Sequence, residues 1–193
     1  MRCSITYISM AGIIICQVFF TYDVTAQTFG IEIGKNNINL IFESADAKDN
    51  DSALRLNGQL LYSEQNKHQD IFASAGLTSF TGDSNGLMAG AGIRVIAADP
   101  LGYYLSALAV GVELAYRPSS PDRLHFQTGL NYAGESLTFA DGDSVSWLYA
   151  NCDYELMADA SIRLGYRRIK TQQVHGMSED FDRGVYLGLL WSF

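Results

Sequence analysis

Three histidines are the side chains best suited to acid–base chemistry in this 193-residue chain, and their placement decides what they could do. His68 and His175 stand in polar stretches between apolar segments, and Asp141 and Asp143 stand in another. Loops of this kind could bring an imidazole and a carboxylate within hydrogen-bond reach, as rim enzymes require. Nothing in the spacing forces that convergence, so the expectation is solvated loop residues and no enzyme. His125 falls at an alternating position inside an apolar segment and reads as a hydrogen-bonded interior residue. No Gly-x-Ser-x-Gly presents a serine nucleophile, and Gly90-Ala91-Gly92 lies within a strand pattern rather than opening a helix, so it forms no phosphate loop. The scattered histidines give metal binding little support, and no cofactor is expected.

The elements that must position these residues follow from composition and periodicity. The chain carries 13 Lys+Arg against 21 Asp+Glu, an acidic balance that argues against binding along a nucleic-acid backbone. With 18% charged and 48% hydrophobic residues it is not a disordered sequence. Its first 26 residues differ from the rest. Arg2 is the only basic residue before Lys35, an apolar run follows from Ile8 to Phe20, and Val24-Thr25-Ala26 offers compact side chains for signal peptidase. That run is too short to cross about 30 Å of hydrocarbon as a helix. Residues 1–26 are therefore expected to be a cleaved signal peptide, leaving 27–193 as one domain. Ile15 stands before Cys16 where a lipoprotein needs a small residue, which rejects that alternative. Cleavage would leave Cys152 as the sole cysteine, unable to form an intramolecular disulfide and best explained as a small apolar residue. No other stretch approaches 18 consecutive apolar residues, so any membrane crossing must be made by strands.

The remaining chain divides into segments of about ten residues with period-two alternation. Leu124, Phe126, Thr128, Leu130 and Tyr132 share one face, opposite His125, Gln127, Gly129 and Asn131. Leu148, Ala150, Cys152, Tyr154 and Leu156 oppose Tyr149, Asn151, Asp153 and Glu155; Ala160, Ile162, Leu164 and Tyr166 oppose Arg163, Gly165 and Arg167. Leu54, Leu56, Leu60 and Tyr62 oppose Arg55, Asn57 and Gln59. From Ile71 to Thr78 the facing is ambiguous, and from Tyr103 to Tyr116 both faces are mostly apolar apart from Glu113. The pattern predicts strands at about 28–34, 36–44, 53–63, 69–80, 86–97, 102–117, 123–135, 145–156, 159–170 and 183–193, with the first two separate or one bent strand. Ala45–Ser52, Pro118–Asp122 and Thr171–Asp182 read as connections. About ten strands suit an all-β, antiparallel up-and-down barrel with both termini at one end.

Alternation alone fits a soluble barrel with an apolar interior as well as a membrane barrel with the faces inverted. Two features favour inversion. The polar faces carry charges of both signs in near-balance (Glu32, Glu43, Glu113, Asp153 and Glu155 against Arg55, Arg94, Arg163 and Arg167), which suits a narrow lumen of paired side chains lined also by His125. Aromatic residues stand near strand ends (Tyr62, Tyr103, Tyr104, Tyr116, Tyr132, Trp147, Tyr166, Tyr186), where interfacial girdles would place them. The closing segment puts Val185, Leu187, Leu189, Trp191 and Phe193 on one face, a pattern resembling the C-terminal signal by which outer-membrane barrels are recognised for assembly.

Leu87-Met88-Ala89-Gly90-Ala91-Gly92, Val110-Gly111-Val112-Glu113-Leu114, Gly165-Tyr166-Arg167-Arg168-Ile169 and Gly184-Val185-Tyr186-Leu187-Gly188 together resemble the YfaZ-type outer-membrane protein family, small barrels of Gram-negative bacteria. The similarity covers roughly residue 28 to the end. It implies a transmembrane β-barrel, outer-membrane lipid around it and the barrel-assembly machinery as a partner during biogenesis. It supplies no activity and no functional residue to carry over. The expected function is a structural or narrowly permeable barrel. The alternatives are a secreted lipocalin-like barrel holding a small apolar ligand, and a rim enzyme. Ten strands leave a bore little wider than their own side chains fill, so paired charges are expected to plug it rather than line an open conduit. The sequence does not specify an oligomeric state.

Overall fold

In a computed structural model the described residues are 26–49, 52–65, 68–82, 86–100, 103–173 and 178–193. The expected signal peptide lies outside them, except for Ala26, which begins the first strand. The long strands are β1 (Ala26–Gly34), β2 (Asn37–Asp49), β3 (Ser52–Gln65), β4 (His68–Gly82), β5 (Leu87–Asp99), β6 (Leu105–Tyr116), β7 (Leu124–Ala133), β9 (Gly142–Met157), β10 (Ala160–Gln173) and β11 (Ser178–Ser192). A three-residue strand, β8 (Thr138–Ala140), precedes β9 after a single 3-10 turn.

Each long strand pairs antiparallel with the next long strand in the chain, and β1 pairs with β11 to complete the ring. The result is a closed antiparallel barrel of ten long strands. β8 adds to the start of β6, where β7 has ended, so β7 and β8 share one seat in the wall. Closure runs from Thr28 opposite Ser192 to Gly34 opposite Tyr186. At its foot Gln27 donates to the Phe193 carbonyl at 3.2 Å and Phe193 donates back at 2.9 Å. Closure removes every sheet edge along this seam, the condition for backbone to sit in hydrocarbon.

The first two strands are separate, joined by a tight turn at Lys35-Asn36. Two expected connections are mostly strand. β2 continues through Ala45, Asp46 and Ala47 against Arg55, Leu54 and Ala53, and β10 and β11 continue with Thr171 opposite Glu179. Ladder bonds belong to the backbone, so polar side chains end an apolar stripe without ending a strand. Asp143 likewise lies in β9 rather than in a loop, while Asp141 occupies the turn before it. Pro118–Asp122 is a connection, as expected.

The wall is inverted relative to a soluble barrel. Phe126, Leu130, Val112, Ile93, Leu164, Leu187 and Val185 stand exposed on the outside, some more than half so, while Arg167, Glu32 and Asn39 are almost wholly buried inside. Cys152 lies half-buried on the outer face between Phe126 and Leu164. The ambiguous strand β4 turns Phe72, Ser74, Gly76 and Thr78 inward.

Candidate functional site: the filled bore

Strand parity delivers the interior. In β10, Arg163, Gly165, Arg167 and Ile169 point inward because Ile162, Leu164 and Tyr166 point out. Arg163 grips Asp153 on the adjacent strand through two parallel bonds, Nε to Oδ1 at 2.7 Å and Nη2 to Oδ2 at 2.8 Å. Its remaining nitrogen reaches over Gly188 of β11 to Glu32 on β1 at 3.3 Å and to Glu43 on β2 at 3.4 Å. Two pleat repeats further, past inward-facing Gly165, Arg167 donates to Asp182 at 2.7 Å, to Glu32 at 2.8 Å and to Asn37 at 3.4 Å, with its guanidinium over the Tyr186 ring. Asn39 donates to Glu32 and Asn37 to Asp182, each at 2.8 Å. Glu32 is the hub: both arginines and Asn39 converge on a carboxylate that water barely reaches.

A second cluster faces it from β4–β7. Arg94 lies 3.6 Å from Glu113, donates to Ser74 at 3.3 Å and stacks over Trp147 at 4.3 Å. Glu113 accepts from Thr78 and from Gln127, both at 3.2 Å. Arg55 forms no ion pair among the described residues; its guanidinium lies over Phe80 at 4.5 Å. His125 sits nearer the termini end of the bore, half-exposed, its Nε2 3.0 Å from Glu155, which also meets Arg117 at 3.2 Å. Burying charge is costly unless each ion is matched and its remaining hydrogen-bonding capacity is used; Arg163, Arg167 and Glu32 meet that condition, whereas Arg94 keeps its ion pair but leaves Nε without a hydrogen-bond partner among the described residues.

The half of the bore away from the termini also holds an apolar cluster, which alternation did not foretell, beside buried Asp70, Thr171 and Asp182. Leu61, Phe72, Ile96, Leu105, Val145, Trp147, Ile169 and Phe181 form one buried cluster. Phe72 meets Trp147 edge-on with ring centres 5.7 Å apart and Phe181 at 5.5 Å. Trp147 and Tyr186, expected in the outer girdle, point inward, because Leu148 in one strand and Val185 and Leu187 in the other take the outer face. Tyr186 finds room over Gly165, where any Cβ would collide with its ring, and its hydroxyl donates to Asn151. Tyr103 is also partly buried, sharing a 3.0 Å hydrogen bond with Thr171. Tyr62, Tyr104, Tyr116, Tyr132 and Tyr166 do stand exposed.

Between the charged clusters and Trp147 remains a cavity of about 50 Å³, lined among others by Glu43, Arg55, Arg94, Gln127 and Tyr149. At about 10–15 Å³ per water it holds a handful of waters and no organic substrate. The candidate rim residues do not assemble into a described site: His68 opens β4, Asp141 and Asp143 flank the start of β9, and His175 lies outside the described residues. Among the described residues no group of three or more His, Cys, Asp or Glu is placed to hold a metal ion. Val185, Leu187, Leu189 and Trp191 form an unbroken outward stripe on β11, and Phe193 is exposed just beyond its end.

Comparison with known proteins gives a family and little else. The family model described as YfaZ precursor matches residues 5–193. No curated protein matches the chain. Among solved structures, the outer membrane channel DcaP of Acinetobacter baumannii is similar at 13% identity with a TM-score of 0.47, over 84% of this chain. The chain spans about half of that channel, 54% of its length.

Proposed function

The chain belongs to the YfaZ family, and from that membership and the inverted wall we propose that it is an outer-membrane β-barrel of a Gram-negative envelope whose bore is closed by its own side chains. The observation that carries this reading is the simultaneous exposure of large apolar side chains all round the ring and burial of Arg163, Arg167, Glu32, Arg94 and Glu113 within it. In water that arrangement would expose far more contiguous apolar surface than a soluble monomer tolerates. In a bilayer the same surface is satisfied by lipid tails, and the interior charges satisfy one another. A lipocalin-like carrier needs an apolar cavity of ligand size, whereas the space here is small and mostly walled by polar side chains.

On this reading the protein reaches the envelope through a cleaved signal peptide at residues 1–26, and the barrel-assembly machinery recognises the β11 stripe ending at Phe193. Its surroundings are outer-membrane lipid. Its role is structural, without catalysis. A narrow conduit is the second reading, favoured by Arg55, which forms no ion pair among the described residues and lies beside the small cavity. Planar-bilayer recording separates the two: the plugged barrel gives little or no current, and a steady open channel whose ion selectivity changes in Arg167→Ala would establish the conduit.

A further inference from the structure

Just beyond the apolar outer stripe, β10 and β11 carry a charge pattern that the barrel itself does not balance. The registered outward pairs run Ile162 with Leu189, Leu164 with Leu187 and Tyr166 with Val185, and the next is Arg168 with Arg183. Two like charges placed directly opposite one another repel and destabilise a sheet. A bulge between Ile169 and Lys170 follows, after which Lys170 stands opposite Asp180. Asp180 is engaged by Arg168 at 3.0 and 3.4 Å and lies 3.8 Å from Arg183. Three cations thus stand with one carboxylate on an exposed face, Arg168 and Arg183 around Asp180 and Lys170 in register opposite it, a net charge of about +2 within a span of about 7 Å along the strands. The turn residue Lys35, after Gly34 beside Tyr186, is exposed on the same side of the rim. At the corresponding level β3 offers Glu64, β4 Gln69 and β5 Asp99, so the positive sector is confined to this part of the ring.

We propose that Arg168, Lys170 and Arg183 form a binding site for the phosphate-bearing headgroup of a lipid in the leaflet at the end opposite the chain termini. This rests on the membrane reading above, because it is the adjacent stripe of Tyr166, Val185, Leu164 and Leu187 that would place a lipid's tails against the wall and its headgroup level with the cations. A phosphate monoester brings one and a half to two negative charges and three acceptor oxygens, matching what Asp180 leaves unneutralised. Arginine forks suit such an oxygen triad, and the lysine adds an adaptable point charge.

The test is native mass spectrometry of the detergent-extracted barrel titrated with phosphatidic acid, and with phosphatidylcholine of the same chains. The wild-type barrel is expected to retain phosphatidic acid preferentially. Replacing Lys170→Gln and Arg183→Gln together should weaken that retention about thirtyfold, roughly fivefold for each cation removed. The control Asp99→Asn, across the ring, should leave retention unchanged. Equal retention by the double variant, or no preference between the two lipids, overturns the site while leaving the membrane barrel standing. Displacement of the lipid by an equal concentration of inorganic phosphate overturns the assignment to a lipid. A barrel that stays in the aqueous phase without detergent overturns both the site and the membrane reading.

Discussion

The interior arginines hold the barrel by being matched, so their removal tells more than their presence. Arg167→Ala leaves Glu32 and Asp182 as buried carboxylates with a partner missing, and the expected loss is about 3–5 kcal/mol of unfolding free energy, measured by urea titration in detergent micelles. Truncating Lys170, on the exposed rim, should cost well under 1 kcal/mol in the same assay. Near-equality of the two would mean that Arg167 is not a buried charge held by matched partners. Much of this residue-scale account is legible in the sequence. Glu32, Arg94, Glu113, Arg163 and Arg167 fall opposite apolar stripes, and alternation alone turns them inward. Trp147 and Tyr186 were harder to place because aromatic type at a strand end suggests a girdle, while parity sends them inside. Parity wins because a one-residue slip would reverse every other side chain in the strand. Partners brought together by barrel closure, such as Arg163 with Glu32 over Gly188, join residues far apart in the chain and leave no spacing to detect.

At the scale of elements, the strands within the apolar band were visible and their extensions were not. Period-two hydrophobicity reports which face meets lipid, so the signal stops where the lipid stops, near Tyr166 and Val185. The β10–β11 hairpin runs on to Gln173 and Ser178 through residues whose polarity resembles a loop. The connections that remain are short and depend on local geometry. Gly86 precedes β5 with φ at +81°, donates nothing sterically, and has Arg117 closing on it from the next connection. Gly86→Ala is expected to destabilise by at least about 1–2 kcal/mol from the left-handed backbone alone, with further loss from the collision with the Arg117 carbonyl. Melting of the two proteins in matched micelles reads this directly, and an unchanged melting temperature would show that the turn relaxes freely. On the wall, Val112→Arg should cost about 2–4 kcal/mol in liposomes if that position lies near the bilayer midplane.

For the whole molecule, the account predicts a heat-modifiable band on cold gel electrophoresis and a silent planar bilayer. The silence is attributed to the apolar tier of Phe72, Trp147 and Phe181 and to the salt-bridged clusters beside it. Sequence could anticipate a plugged bore from strand number, yet not this tier, because the inner residues Leu105, Ala107 and Ala109 of β6 look the same whether they face lipid or a filled interior. The central claim is the inversion of the wall, and the chain's two tryptophans stand on opposite sides of it. Trp147 is 4% exposed inside the bore and Trp191 is 40% exposed outside. In vesicles of lipids brominated along the acyl chains, Trp147→Phe, which keeps only Trp191, should be strongly quenched relative to unbrominated lipid. Trp191→Phe, which keeps only Trp147, should be nearly unaffected. The reverse pattern, with Trp147 quenched and Trp191 protected, would contradict the account.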